Sequence, residues 1–581
     1  MKELISRSDF ANALKLQKLK LKAVAPAIMH LLKLDKLNSL YDKNSELSGL
    51  DFAGAILEQL NIKYNISESD IKNIPETGSF IAIANHPYGG IDGLILLQIL
   101  AKKRPDIKIL ANFLLSKIEP ISPFIINVNP FENIGSRQMN ITAAKTVLKH
   151  IKDAPIGIFP AGEVSALKLN NFKISDKKWQ PGVGKLIKNA GVPVLPVYFS
   201  GNNSLAFNLL GLINPSLRTL KLPSELFNKS HTIQVRIGKP IKFETIQDFN
   251  SNTIIEYLRA KTYALGETVQ TQKSILKKLK PLKKPRPVVD AIDTALLVEE
   301  VEKLRNNNKL LCEHNEFEVY ISSASAIPNI VKEIGRLREI TFRAVGEGTN
   351  RSIDLDEFDK YYKHLFVWDK QKEAIAGAYR IGEGDVLFKA FGAKGFYTSQ
   401  LFNIKKRFYP VLYNSIELGR SFIDINYQRK PYSLMLLWKG INIYLQQNSD
   451  RFKYMFGPVS ISNSYSKLSI ELIVNYLLEH HKNNLLCNHV EPKTPYKDKS
   501  KLEGKNLIKE KSAKTIKELD ALIEEIEGNN MKVPVLIKKY LSLNGNFLCF
   551  NVDKNFNDSV DGFLVVEIDK IPKNAFEMVS R

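Results

Sequence analysis

Cysteine is scarce in this 581-residue chain: Cys312, Cys487 and Cys549 are far apart and odd in number. They offer neither a disulfide framework nor a CxxC metal site. The expectation is a reducing, cytoplasmic compartment and no metal. Long hydrophobic runs are missing as well. The Gly93–Ala101 stretch (GLILLQILA) falls far short of the ~18 residues that span a bilayer, so any membrane contact is expected to be peripheral. The opening MKELISRSDFANALKLQK carries acids and has no compact apolar core followed by a small-residue cleavage site, unlike a secretory signal. There is no internal repeat and no long low-complexity tract. Acidic charge is in deficit: 83 Lys+Arg against 61 Asp+Glu leave +22. That excess implies an anionic partner, whether nucleic acid, anionic membrane or acidic protein. The basic residues come without an RNP, zinc-finger or helix-turn-helix signature, which argues against nucleic acid. Apolar residues at 44% and charged residues at 25% are ordinary for a globular protein and exclude a mostly disordered chain.

At roughly 150 residues per domain the length suggests two large domains or several small ones. The clearest break is Lys273–Arg286, with seven basic residues, no acid, and two of the three prolines clustered at 281–287. Prolines at this density disfavour a continuing helix. The stretch is either a solvated connector or a basic surface drawn to membrane or carrier protein. The expected division is 1–270, a linker at 271–290, and 291–581. A second basic stretch, Lys15–Lys22, alternates Leu and Lys without settling helix against strand, and the AVAPAIMHLLKL that follows is helical in pattern.

Before the linker, short apolar runs alternate with helical patterns: Phe80–Ala84, Ile107–Ala111, Ile156–Phe159 and Val192–Phe199. This predicts an α/β sheet with its chemistry on loops at strand ends. After the linker, Phe317–Ser322 reads as a strand, Ile327–Ala344 as a helix, and His364–Trp368 with Ala374–Ile381 as a hairpin, an α+β pattern.

Asn85-His86-Pro87-Tyr88-Gly89-Gly90-Ile91-Asp92-Gly93 follows directly on an apolar strand. There the Asp can orient the His and stabilise its charged form while the His accepts a hydroxyl proton. A structural hydrogen-bonded pair is the competing reading. Downstream lie Asn133–Arg137 (NIGSR), Phe159–Ser165 (FPAGEVS) and Val192–Val197 (VPVLPV). In this order and spacing, the four blocks resemble the glycerolipid acyltransferase family over about residues 70–240. That resemblance implies an α/β acyltransferase domain with His86 as general base, Asp92 as its orienting partner and Arg137 binding the acceptor. Gly162 and Glu163 match the substrate-binding third motif. Five residues separate His86 from Asp92 where the family has four, and Ala161 and Val164 replace its usual Glu and Arg. Without that Arg, a natural phosphate clamp is gone, and a hydroxylated lipid lacking the phosphate fits the acceptor better.

The second half holds Arg338–Arg343 (REITFR), the acidic Asp354–Asp359 (DLDEFD), Gly377–Arg380 (GAYR) and Ser415–Ile423 (SIELGRSFI). Singly these read as a helix end, a solvated loop and charged strand residues. Together they resemble the GNAT-type acyltransferases that use acyl carrier protein, the ornithine-lipid N-acyltransferases and acyl-homoserine-lactone synthases, over about residues 315–490. The resemblance implies a GNAT-like α+β domain in which Glu417 handles the amine proton. Arg338, Phe342, Arg380 and Arg420 would position the acyl donor or hold the acidic loop, with Asp356 and Asp359 completing the network. Gln428–Leu434 lacks the Gly-rich turn that binds the coenzyme A pyrophosphate. Acyl carrier protein, which is acidic, is therefore preferred to acyl-CoA as donor, and no bound cofactor is expected. The tail, about Thr515–Arg581, is expected to complete the second domain.

The pairing resembles a fused bacterial ornithine- or glycine-lipid synthase. Its implied sequence is N-acylation of an amino acid with a 3-hydroxyacyl chain, then O-acylation of that 3-hydroxyl in the lyso-aminolipid. The expected place is the cytoplasmic face of the inner membrane, against anionic lipid. The alternative is a phospholipid-remodelling lysophospholipid O-acyltransferase whose GNAT-like half acts on another acceptor.

Overall fold

The structure, a computed structural model, describes residues 3–6, 25–112, 115, 118–128, 134–168, 173–204, 206–209, 215–227, 231–269, 286–345, 347–428, 432–510, 513–528, 531–573 and 575. The basic stretch Lys15–Lys22 and all of the Lys273–Arg286 stretch but its last residue lie outside them. The described residues fall into two compact units: Met1–Gln270 with Lys501–Ser512 and Glu524–Asn530, and Thr271–Ser500 with Ala513–Ile523 and Met531–Arg581.

The first unit is α/β. Its seven-stranded sheet runs Ile62–Asn65, His231–Ile237, Val194–Phe199, Ile81–Ala84, Ile156–Ile158, Lys108–Asn112, Ile125–Val128. Neighbours are parallel except Val194–Phe199 against His231–Ile237. The central strands Ile81–Ala84 and Val194–Phe199 are buried along their whole length, as expected for a sheet with helices on both faces. Alternation along the strand confirms it. Phe80, Ala82 and Ala84 pack with Ile95 and Leu96 of the Gly90–Ala101 helix. Ile81 and Ile83 face the opposite way, toward Ile187, Ile254 and Leu258 of helices Pro181–Ala190 and Ser251–Ala264. The loops that carry 85–92 and 159–165 leave the C-terminal ends of two adjacent parallel strands, where open α/β sheets build their sites. Two tail segments close on this unit through charge: Glu503 pairs with Arg259 at 2.8 Å, and Glu525 with the buried Lys261 at 2.7 Å.

The second unit is α+β. Its eight-stranded sheet runs Leu310–His314, Phe317–Ser323, Lys363–Asp369, Ala374–Glu383, Ser415–Ile423, Tyr454–Ile461, Ser559–Glu567, Asn546–Asp553. Ser415–Ile423 and Tyr454–Ile461 run parallel; the other neighbours are antiparallel. Helices Thr294–Asn306 and Pro328–Ala344 bury Leu297, Ile330 and Ile334 against Tyr320, Phe366 and Trp368 on one face. Tyr432–Gln447 packs so closely that a Cβ on Gly440 would lie 2.7 Å from Val319 Cγ1. The tail contributes the last two strands, Ser559–Glu567 and Asn546–Asp553.

Among the described residues no helix is long and apolar enough to cross a membrane, and no cluster of side chains could hold a metal ion.

Candidate active sites

His86 sits at the turn between the Ile81–Ala84 strand and the Gly90–Ala101 helix, and Asp92 lies in that helix's first turn. Gly89 makes the turn at φ +87°, a region that disfavours a side chain. The fully buried Asp92 carboxylate accepts hydrogen bonds at Oδ2 from the backbone N–H groups of Tyr88 (2.8 Å) and Gly89 (3.0 Å). The same oxygen lies 3.1 Å from His86 Nδ1. Burial raises the Asp92 carboxyl above its usual range, while His86 and the two amides oppose the rise. The Tyr88 hydroxyl is pushed up to about 12, chiefly by burial and then by Asp92.

With Nδ1 turned to Asp92, Nε2 is the nitrogen left to accept a proton from a hydroxyl. The His86 side chain is 18% exposed, and its ring lies 4.2 Å from that of Phe159, centroid to centroid. Such an arrangement can do general base chemistry: the carboxylate fixes the ring and stabilises the imidazolium once it forms.

A second carboxylate, absent from the sequence reading, holds the loop in place. Asp176 is fully buried. Its Oδ1 accepts from the His86 backbone N–H (3.1 Å) and the Ser165 hydroxyl (2.5 Å), and its Oδ2 from Trp179 Nε1 (2.8 Å). Ser165 N–H in turn donates to the His86 carbonyl at 2.8 Å. The third motif is thereby fastened to the first. Gly162 has φ +69°, where a side chain would be strained, and a Cβ there would have to push aside the Gln180 amide, 2.4 Å from its Nε2. Glu163 forms a half-exposed ion pair with Lys177 at 2.6 Å. Arg137 lies in the Ile134–His150 helix, and its side chain is outside the described residues.

In the second unit, Arg338, Arg380 and Arg420 come together with Asp354, Asp356 and Asp359. The Arg338 guanidinium is completely buried. Its Nε donates to Asp354 at 3.0 Å, Nη1 and Nη2 donate to Asp359 at 2.8 and 3.1 Å, and Nη2 also donates to the Asp354 carbonyl. Arg380 donates to Asp356 at 2.5 Å and lies 3.3 Å from Asp359. Arg420 stands 3.4 Å from Asp354 and 3.5 Å from Asp356. Burial alone would raise Asp354 and Asp359; the guanidinium charges outweigh it and hold both below the usual carboxylate range. Three cations and three anions form one buried network.

Glu417 is buried beside this network. Its Oε1 accepts from Thr398 N–H (2.7 Å), and its Oε2 from Tyr397 N–H (2.9 Å) and the Tyr362 hydroxyl. The rings of Tyr362 and Tyr397 each lie 5.2 Å from the Arg380 guanidinium carbon. The carboxylate therefore ties the 396–398 turn to the network, and burial raises its pKa despite these bonds.

The open space lies one step along the strand. Ser415–Glu417 pairs with Tyr454–Phe456, and the pairing then stops. The strands still touch at Gly457, where a Cβ would lie 2.1 Å from the Leu418 carbonyl oxygen. Beyond it they part around a cavity of about 150 Å³, bounded by Leu418–Ser421 and Pro458–Ser460. Arg420 is left-handed at φ +49° in a bulge opposite Ala378–Arg380. Such strain in a non-glycine residue is a mark of functional sites. Phe342, Tyr379 and Tyr397 also line the cavity, together with the carboxylates Glu347, Asp553 and Asp561. Ser460 donates to Asp561 Oδ1 at 2.6 Å. Burial, then Asp553 and Glu347, push the Asp561 carboxyl up to about 7, against the pull of Ser460 and Arg420. Burial likewise raises Glu347.

The family described as "Acyltransferase" matches residues 20–272, and that described as "Acetyltransferase (GNAT) domain" matches residues 337–439. A glycine N(alpha)-acyltransferase from Bacteroides thetaiotaomicron is 32% identical over 303 residues, covering 49% of this chain and 86% of the relative. The chain belongs to the glycine N-acyltransferase family. The Phocaeicola vulgatus protein of the same name is 32% identical over 299 residues, covering 49% of this chain and 88% of its own length. A lyso-glycine lipid O-acyltransferase from Phocaeicola vulgatus is 29% identical over 230 residues, covering 38% of this chain and 80% of that protein. This glycine N-acyltransferase family member is thus an acyltransferase in which an acyltransferase domain precedes a GNAT domain.

Proposed function

We propose that the chain makes a two-chain glycine lipid by two successive acyl transfers. The GNAT half joins a 3-hydroxyacyl chain to the glycine amine, and the first half esterifies the 3-hydroxyl of the product. The observation that carries this reading is that one chain aligns both with a glycine N(alpha)-acyltransferase and with a lyso-glycine lipid O-acyltransferase. The same names favour glycine over ornithine and over phospholipid remodelling.

In the first half, His86 Nε2 takes the proton from the lipid hydroxyl as its oxygen attacks a thioester carbonyl, with Asp92 stabilising the imidazolium. The imidazolium then returns the proton to the leaving thiolate. Asp176 and Ser165 fix the height of the His86 loop, Gly162 keeps the adjoining turn, and Glu163 with Arg137 contacts the acceptor. In the second half, the strand-parting cavity takes the acyl thioester. Arg420 lines it, Arg338 and Arg380 with the aspartates brace Arg420 from behind, and Glu417 positions the turn that bears Tyr397. The donor is acyl carrier protein, whose acidity suits a +22 chain. The same charge attracts anionic lipid at the cytoplasmic membrane surface, each basic residue near it contributing on the order of 1 kcal/mol.

The test is reconstitution with the purified full chain, 3-hydroxyacyl-carrier protein or 3-hydroxyacyl-CoA, and glycine or ornithine, read by mass spectrometry. N-acylglycine formed fastest from the carrier protein supports the proposal. Acyl exchange on phospholipids with no acylated amino acid overturns it.

A further inference from the structure

The cavity between the parted strands has charges of both signs in its lining. Arg420 projects from Ser415–Ile423, while Asp561 and Asp553 come from the two tail strands and Glu347 from the segment after the Pro328–Ala344 helix. Asp561 is 3% exposed, and Ser460 is the one hydrogen-bond donor to its side chain among the described residues. Tyr379, 1% exposed, adds a hydroxyl to the lining. That hydroxyl lies within hydrogen-bonding reach of Ser421 and Tyr540. A buried carboxylate with one donor and a guanidinium around one small cavity form a lining complementary to an amino-acid zwitterion. Glu417 differs on each point: it is absent from the lining, and both of its oxygens are occupied by Tyr397, Thr398 and Tyr362.

We propose that Asp561 is the proton acceptor of the N-acylation, oriented by Ser460, and that it binds the ammonium group of the incoming amino acid. This rests on the glycine N-acylation proposed above. Asp561 takes one proton from the ammonium, freeing the nitrogen lone pair. The C–N bond forms as nitrogen attacks the thioester carbonyl, and the C–S bond breaks as the tetrahedral intermediate collapses. The second nitrogen proton goes to the departing thiolate, and Asp561 releases its own to solvent. One ammonium and one thioester thus give one amide, one thiol and one proton.

The charged and titratable groups facing Asp561 fit this role. Asp553 and Glu347 favour its protonated form, and Arg420 with the Ser460 hydroxyl favours the carboxylate. Tyr397 also lies within its field. The balance places its affinity for a proton near neutrality, where a general base works best.

The experiment measures both acyl transfers in the same full-length preparations: N-acylation of glycine from a 3-hydroxyacyl thioester, and O-acylation of a supplied lyso-glycine lipid. Asp561→Asn is expected to lower kcat for N-acylation at least 100-fold, with KM for the thioester and the O-acylation rate unchanged. Ser460→Ala removes a donor that stabilises the carboxylate, so the acidic limb of its kcat/KM profile for glycine should move to higher pH. A merely structural Ser460 would leave that limb in place. N-acylation by Asp561→Asn within threefold of wild type, or an unmoved limb in Ser460→Ala, overturns the assignment alone. A wild-type chain that acylates no amino acid overturns the proposed function with it.

Discussion

Replacing Asp92 by Asn and by Ala separates the two tasks of that carboxylate. It accepts two backbone N–H bonds at 2.8 and 3.0 Å and stands 3.1 Å from His86 Nδ1. Asn retains an oxygen for the two amides but loses the charge that stabilises the imidazolium. Stability should fall by only about 1 kcal/mol, while kcat for O-acylation falls about 10²–10⁴-fold. Ala leaves both amide donors buried and unpaired, at about 1–3 kcal/mol each. At about 2–4 °C per kcal/mol for a unit of this size, that lowers Tm by roughly 5–20 °C. The assay is O-acylation of a lyso-glycine lipid alongside thermal unfolding, with N-acylation as the internal control. O-acylation by Asp92→Asn above a tenth of wild type would refute the His86–Asp92 mechanism. Equal Tm values for Asn and Ala would refute the capping argument.

Four other outcomes are expected. Arg338→Met strands Asp354 and Asp359 in the core and should cost about 3–5 kcal/mol in denaturant unfolding, a loss that Asp359→Asn in the same chain partly relieves. Asp176→Ala removes the carboxylate that joins the His86 N–H to the Ser165 hydroxyl and Trp179; O-acylation should drop at least tenfold while N-acylation persists. Gly457→Ala puts a Cβ 2.1 Å from the Leu418 carbonyl, forcing the strands apart at the cavity's closed end, and should abolish N-acylation without altering any charge. The Asp561 carboxyl is raised in the fold from 3.8 to about 7, so its contribution to stability is complete below about pH 4 and disappears as pH rises through 7. The rise corresponds to at most about 4 kcal/mol, and Asp561→Asn should remove that part of the decline in the denaturation midpoint between pH 4 and 8. Asp354 and Asp359 are lowered instead, and their contribution is lost only as pH falls below the usual carboxylate range.

The His86–Asp92 turn was readable because the chemistry and the backbone conformation lie within nine consecutive residues after one apolar strand. Strand and helix identities followed from periodicity, as with Ile81–Ala84 and Pro328–Ala344. The Arg338, Arg380 and Arg420 cluster became visible only through resemblance, since its members sit on three elements that the sheet alone brings together. Asp354 was in view as part of an acidic stretch, yet nothing in the sequence told it from Asp356 as a partner of Arg338. Asp176 and Asp561 carried no signal: each is a single acid outside any motif. Ser460 meets Asp561 because Tyr454–Ile461 pairs with Ser559–Glu567, a register set by packing of the whole unit. The tail segments Lys501–Ser512 and Glu524–Asn530 group with the first unit, where Glu503 and Glu525 meet basic partners that no local pattern reveals.

The most direct test of two acyl transfers on one chain is the lipid profile of a bacterium without aminolipids that expresses it. Wild type should yield a two-chain glycine lipid, and His86→Ala should accumulate the single-chain N-acylglycine. A two-chain glycine lipid from His86→Ala, or no aminolipid from wild type, would contradict the account.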